Sequence, residues 1–280
     1  MTKSLSSIAD FDAALLSEYT RFRSLVPSAS NAYVQRRFAQ YCVFPELGWA
    51  LLGVGENEAL AANDPSILYA TITRFLKCAH HCWGPTDETG LHWGGHDFCA
   101  LVVPSLYSAF LGNAYIASAF NCGRPMSRNG SGAYVHAANL MVCIECPTWP
   151  FRAKAVTLAE AFVSSKSRTK TDKTFVSFFI AVLAQDRRAM TEALVEFSNG
   201  YGKSDWGRHK PWTAATLIQA LVTYAGSRVA EPVDVQTHRS LVSEDRIQLW
   251  SAMQQTLNKL ALAQHKFPEP LGFLNDLEFE

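Results

Sequence analysis

The fold is decided by the stretch Phe175-Val-Ser-Phe-Phe-Ile-Ala-Val-Leu-Ala-Gln-Asp-Arg-Arg-Ala-Met-Thr-Glu-Ala-Leu-Val-Glu-Phe197, which holds two amphipathic patterns in succession. The first pattern has the i, i+3, i+4, i+7 and i+8 spacing of one helical face, with Phe175, Phe178, Phe179, Val182 and Leu183. In the second, Asp186 is a suitable N-cap for a helix that places Met190, Leu194 and Phe197 inward. The stretch therefore predicts two helices joined by a short Gln-Asp-Arg turn.

The same periodicity extends along the chain in both directions. It predicts further helices whose inward residues are Phe11, Leu15, Tyr19 and Phe22; Leu68, Ile72, Phe75, Leu76 and Ala79; Ala214, Leu217, Ile218, Leu221, Val222 and Ala225; and Ile247, Trp250, Met253, Leu257 and Leu260. The only candidate strand, Arg228 to Gln236, contains Pro232 and has no hairpin partner. We therefore predict an all-α fold, an array of antiparallel helical hairpins with little or no β-strand.

Length and composition favour a globular chain with one core. The 280 residues are 48% apolar and 18% charged, and 25 basic residues balance 25 acidic ones. Zero net charge argues against a general nucleic-acid binder. We expect a single helical domain over 1–280, with two halves, 1–163 and 174–280, as its internal division. The basic, Ser/Thr-rich stretch 164–173 would join these halves.

Two features bear on localisation. The segment Phe98 to Gly123 has no Asp, Glu, Lys or Arg, but Pro104 and the turn-like Leu111-Gly112-Asn113 favour two buried helices over one membrane span. The first residues lack the apolar core of a signal peptide, and the seven cysteines are an odd number in a large chain. These patterns predict a cytoplasmic protein with reduced thiols and no membrane contact.

The segment from Cys78 to Cys99 is rich in metal-ligating residue types. Cys78 and Cys82 have helical i, i+4 spacing, and so do His92 and His96. Two thiolates and two imidazoles form a zinc-ligand set, so these four are the candidate metal ligands. The alternative is that the two cysteines are core residues and the histidines line a loop, in which case no cofactor is bound.

Other catalytic patterns are weak. Cys143-x2-Cys146 closes a predicted helix, whereas a redox pair normally opens one, where the helix dipole lowers the thiol pKa. The sequence also lacks the glycine-flanked serine elbow, the His-Glu-x-x-His motif and the phosphate-binding glycine loops. We therefore identify no catalytic residues and expect that the protein is not an enzyme.

Aromatic loops are the best candidates for partner binding. Trp, Tyr and Arg dominate the binding energy of protein interfaces. They are concentrated in two predicted loops, with Tyr201, Trp206, Arg208 and Trp212 in one and Trp83 and Trp93 in the other. The alternative is that each tryptophan is half-buried under its own loop. The basic residues Arg152, Lys154, Lys166, Arg168, Lys170 and Lys173 are most simply a solvated face.

The stretch Phe179 to Phe197 resembles all-α immunity proteins that accompany bacterial polymorphic toxins and type VI secretion effectors. Those proteins have an aliphatic helix, a short Gly/Gln-Asp-Arg turn, an Ala/Leu/Glu helix, a loop and an Ala-rich helix, here Ala214 to Ala225. The resemblance covers about residues 98 to 226 and departs at 78–99. It implies a cytosolic protein that binds a cognate toxin and blocks its active site or assembly. The family shares no catalytic residues.

If that toxin is a nuclease with a basic face, an acidic patch would steer the encounter. The C-terminal residues Glu269, Asp276, Glu278 and Glu280 are candidates, and their replacement by alanine should then slow association. Two other functions stay open: a zinc-dependent helical enzyme that uses the cluster at 78–99, and a helical adaptor or regulator. The expected partner is a protein, not a nucleic acid or a membrane, and the oligomeric state is open.

Overall fold

The chain is all-α in a computed structural model. The structure describes residues 5–38, 47–80, 102–109, 111, 123, 126, 132–201, 213–226, 228, 244–256 and 265–277, and these contain helices and turns but no β-strand. The helices are α1 (Ile8–Leu25), α2 (Asn31–Phe38), α3 (Trp49–Ala62), α4 (Pro65–His80), α5 (Val103–Ser108), α6 (Ala133–Glu145), α7 (Arg152–Ser164), α8 (Lys170–Ala184), α9 (Arg187–Tyr201), α10 (Thr213–Gly226), α11 (Glu244–Gln255) and a 3₁₀ turn (Gly272–Asp276). The fold class is confirmed, while the hairpin array stays a prediction.

Helices α8 and α9 are the pair that the central stretch predicts. The side chain of Thr169 caps α8 by accepting from Asp172 N at 3.1 Å. Gln185 has the left-handed φ of 59° that ends α8, and Asp186 Oδ1 accepts from Ala189 N at 3.0 Å to begin α9. The connection has two residues instead of the three predicted, because Arg187 is already helical.

Aromatic packing holds this pair together. The side chains of Phe175, Phe178 and Phe179 are at most 1% exposed. The ring of Phe175 lies 5.2 Å from the rings of both Phe179 and Phe197. Burial of one such side chain contributes about 2–3 kcal/mol, so this cluster supplies much of the local stability.

The chain divides into two compact units. The first comprises 1–91, 111–115 and 245–280, and the second comprises 92–110 and 116–244. The stretch 164–173 lies within the second unit, where it ends α7 and begins α8. A single domain with halves at 1–163 and 174–280 stays a prediction.

In the first unit, α3 and α4 pack closely. Asn63 ends α3 with a left-handed φ of 50°, and Asp64 Oδ1 accepts from Ser66 N at 2.8 Å at the start of α4. Asp64 therefore caps α4 directly before Pro65, the first residue of that helix. The predicted inward residues of α4 are buried, and so are its Thr71 and Lys77, so α4 is surrounded on nearly every side.

The predicted inward face of α1 is largely confirmed. Phe11, Leu15 and Tyr19 are buried, and Ser7 caps the helix by accepting from Asp10 N at 3.0 Å. The membrane question has a partial answer: among the residues that the structure describes, no helix combines the length and the apolar character needed to span a bilayer. The second helix predicted after Leu111 lies outside the described residues.

Candidate functional site

Of the candidate zinc ligands, the structure describes only Cys78. Its thiol is buried in α4, and burial raises the pKa of that thiol far above its ordinary value. Cys82, His92 and His96 lie in the stretch 81–100, outside the described residues. Within the described part of the chain, no three His, Cys, Asp or Glu side chains form a group that could hold a metal ion. The zinc site therefore stays a prediction.

The cysteine pair at the end of α6 is also buried. Burial raises the pKa of Cys143 to about 11, and Cys146 is 6% exposed beside it in sequence. A thiol with such a pKa is protonated at neutral pH, which makes it a poor nucleophile. The helix Ala133–Glu145 ends just before Cys146, as predicted, so Cys143 lies near the negative end of its dipole.

Tyr201 belongs to the core of the second unit. It is the last residue of α9 and is 4% exposed, and its ring lies 5.7 Å from that of Phe197 in an edge-to-face arrangement. Little of its side chain is therefore available to a partner. The other aromatic-loop candidates lie outside the described residues: Trp206, Arg208, Trp212, Trp83 and Trp93.

The C-terminal segment 265–277 is anchored within the first unit. Four of its apolar side chains, Phe267, Leu271, Leu274 and Leu277, are buried. Lys77 Nζ, on α4, donates to the carbonyl of His265 at 2.9 Å and to Asn275 Oδ1 at 3.4 Å. The carboxylates of Glu269 and Asp276 are on exposed residues of this segment, while Glu278 and Glu280 lie outside the described residues.

A charged cluster lies where this segment meets α1 and α4. Arg74 donates to both carboxylate oxygens of Asp12 at 3.2–3.3 Å, and His265 Nε2 lies 3.9 Å from Asp12 Oδ1. Burial, with the charges of Arg74 and Lys77, lowers the pKa of His265 to about 4. The sequence analysis missed this cluster because its members are separated by most of the chain.

A second polar network surrounds Glu56 in the first unit. Glu56 is 1% exposed, and its carboxylate accepts from Arg246 Nη1 at 2.6 Å and from Trp250 Nε1 at 3.0 Å. Two donors therefore compensate the charge that α3 buries against α11. The sequence analysis placed Trp250 inward but found no partner for its indole N–H.

A third network closes the end of α6 in the second unit. Tyr224 donates its hydroxyl to Glu145 Oε1 at 2.8 Å, and Arg228 forms an ion pair with the same carboxylate. The guanidinium of Arg228 also lies 3.8 Å from the centre of the Tyr224 ring. Burial raises the pKa of Tyr224 well above its ordinary value, so this phenol stays protonated as a donor. These contacts of Glu145 connect the end of α6 to α10 and to Arg228, just beyond it.

The outer surface of α7 exposes apolar and basic side chains together. Phe151 is 37% exposed and Leu158 is 41% exposed, and Lys154 between them is exposed too. The guanidinium of Arg168, beyond the end of α7, lies 5.2 Å from the ring centre of Phe162. We name Phe151, Lys154, Leu158 and Arg168 the α7 strip. The sequence analysis assigned its two basic residues to a solvated face and missed its apolar ones.

Comparison with known proteins finds no matching family model, no significantly similar curated protein and no significantly similar solved structure. The helices of the described residues define the class of this protein as all-α.

Proposed function

We propose that this protein is an immunity protein, which binds a cognate secreted bacterial toxin and neutralises it by blocking its active site or its assembly. A nuclease is one candidate for this toxin. The protein would act in the cytoplasm through binding alone, with no catalytic residue and no cofactor.

The observation that carries this proposal is the order of helices in the region that resembles the immunity proteins. An aliphatic helix (α8) is followed by the Gln185-Asp186 turn, an Ala/Leu/Glu helix (α9) and the Ala-rich helix α10. The same order characterises the all-α immunity proteins that the sequence resembles.

The packing of this region suits a binding scaffold. The turn between α8 and α9 is capped on both sides, and the aromatic core beneath it includes Phe175 and Phe197. A scaffold that is ordered before binding loses little conformational entropy in the complex, and this raises affinity. The rigidity of α8 and α9 is therefore what tight binding of a toxin requires.

An affinity pull-down at low salt from the cell that produces this protein tests the proposal. Bound proteins are identified by mass spectrometry, and each is then expressed alone in a susceptible cell. We expect one tightly bound partner that kills the cell in the absence of this chain. A partner that is harmless when expressed alone would point to an adaptor, and stoichiometric zinc without a partner would point to the metalloenzyme; either result overturns the proposal.

A further inference from the structure

We infer that the α7 strip is a docking surface for an acidic protein surface with an apolar centre. This inference rests on the proposed function, in which the docked protein is the toxin. It assigns the contact to α7 and the turn after it, in addition to the aromatic loops and the acidic C-terminal segment considered from the sequence.

The helix geometry places the strip on one side of α7. At 100° per residue, Lys154 and Phe162 each lie about 40° from Leu158 around the helix, whereas Glu160 lies about 160° away. The inner face is formed by Ala155, Ala159 and Phe162, which are buried. Leu158 and Lys154 therefore lie on one flank of α7, and the acidic residue of the helix lies on the other.

Both ends of the strip continue this flank. Phe151 directly precedes α7 and packs its ring edge-to-face against the buried Trp149, at 5.6 Å between centroids. Arg168 lies over the ring of Phe162, which is one helical turn beyond Leu158. The order along the surface is therefore apolar, basic, apolar, basic.

The positive charge of this region is only partly compensated by the residues that the structure describes. Six basic residues and two acidic ones fall within 152–173, although the whole chain is neutral. Lys170 pairs with Glu196, and Arg152 donates to the carbonyl of Cys143. In contrast, no carboxylate of the described residues pairs with Lys154, Lys166 or Arg168.

Charge and shape favour an acidic protein as the occupant. A second copy bound symmetrically would place Lys154 and Arg168 against the same residues of its partner, which is unfavourable. A nucleic acid would gain from the cations but not from the apolar Phe151 and Leu158. Because α7 buries its most apolar face inside the unit, it also lacks the continuous apolar face that inserts into a membrane. An acidic protein surface with an apolar centre can contact both the basic and the apolar side chains of the strip.

Three defined probes distinguish these occupants: a peptide in which pairs of leucine alternate with pairs of glutamate, a DNA duplex, and vesicles of phosphatidylcholine with one fifth phosphatidylglycerol. Binding to the full chain is measured at physiological ionic strength. We expect the acidic peptide to bind most tightly. Tighter binding of DNA or of the vesicles would overturn the inference.

Matched variants locate the binding of the peptide. Lys154→Glu should weaken it by about tenfold and Leu158→Ser by about fivefold, since each removes one component of the strip. The first control is Arg188→Glu, which makes the same change of charge at an exposed position. The second control is Leu16→Ser, because Leu16 is 42% exposed and Leu158 is 41% exposed. Equal peptide affinity in all four variants would overturn the inference. Thermal unfolding followed by circular dichroism checks that each variant is folded.

The toxin recovered by the pull-down separates this inference from the proposed function. We expect Lys154→Glu and Leu158→Ser to lose protection against it, while Arg188→Glu and Leu16→Ser keep protection. A toxin neutralised equally by all four variants would overturn the docking surface and leave the function standing. Peptide binding at the strip without any recoverable toxin would overturn the function and leave the surface standing.

Discussion

The indole N–H of Trp250 donates to the carboxylate of Glu56 at 3.0 Å, and this bond connects the most buried acidic residue described in the first unit to a helix almost two hundred residues later in the chain. Arg246, one turn before Trp250, donates to the other oxygen at 2.6 Å. These two hydrogen bonds link α11 to α3 through the Glu56 carboxylate.

Replacement of that carboxylate should be costly. Glu56→Gln keeps an acceptor for Trp250 but removes the charge that compensates Arg246, so we expect the free energy of unfolding to fall by about 2 kcal/mol. Urea denaturation measures this change in the free energy of unfolding. The control is Glu192→Gln, whose ion pair with Arg188 is exposed to solvent and should contribute little to the free energy of unfolding. Equal stability of the two variants would contradict the role of Glu56.

The close approach of α3 and α4 requires glycine at position 55. A Cβ at Gly55 would lie 2.7 Å from the Cβ of Thr71, which is fully buried and cannot move aside. Gly55→Ala should therefore destabilise the protein by about 3 kcal/mol, despite the better helix propensity of alanine. Gly226→Ala is the control, because nothing lies within 4 Å of its added Cβ. The prediction is wrong if the two variants unfold at the same denaturant concentration.

The anchoring of the C-terminal segment by Lys77 can be tested through backbone exchange. Lys77→Met keeps the apolar stem but removes the donor to the His265 carbonyl and to Asn275 Oδ1. We expect faster hydrogen exchange in residues 265–277, including the amide of Phe267, which donates to Asn275 Oδ1 at 2.9 Å. Lys266→Met, at an exposed position of the same segment, should leave exchange unchanged. Unaltered protection in Lys77→Met would refute the anchoring role.

His265 makes stability depend on pH. Its pKa is about 4 in the folded protein and its ordinary value is 6.5, so the unfolded chain binds more protons between these two values. Its contribution is complete above pH 6.5 and is lost as the pH falls toward 4. The groups that face it are Asp12 on α1 and Arg74 and Lys77 on α4.

His265→Gln removes this titration. We expect urea unfolding of the variant to depend less steeply on pH between 7 and 4 than unfolding of the natural chain. His80 and His136 also have pKa values lowered by burial, so part of the dependence should persist in the variant. Identical slopes for the two proteins would show that His265 does not titrate as described.

Local pattern predicted the elements of the fold well. The cap at Asp186 and the inward faces of α1, α4, α8 and α9 follow from spacing and residue type, because those signals act within one or two helical turns. The pattern underestimated how many residues of α4 are buried. Its Lys77 is a residue type that pattern assigns to solvent, and its partners lie in the distant C-terminal segment.

The candidate site was less accessible to sequence reasoning. Tyr201 and Arg208 belong to the same predicted aromatic loop, but the contacts that bury Tyr201 beside Phe197 are tertiary and cannot be read from that pattern. The exposure of Phe151 and Leu158 is equally invisible, because an amphipathic pattern does not say which apolar side chains stay uncovered. The excess of basic residues in 152–173 is visible in the sequence, but the sequence does not show which of them lack a carboxylate partner.

Protection of a cell from its cognate toxin is the measurement that tests the central claim most directly. The partner captured from the native cell is expressed in a susceptible cell with this chain, without it, and with the Lys154→Glu variant. The account predicts normal growth with the natural chain, impaired growth with the variant and death without this chain. Growth without this chain, or death in its presence despite a tight complex, would contradict the claim that it neutralises a toxin.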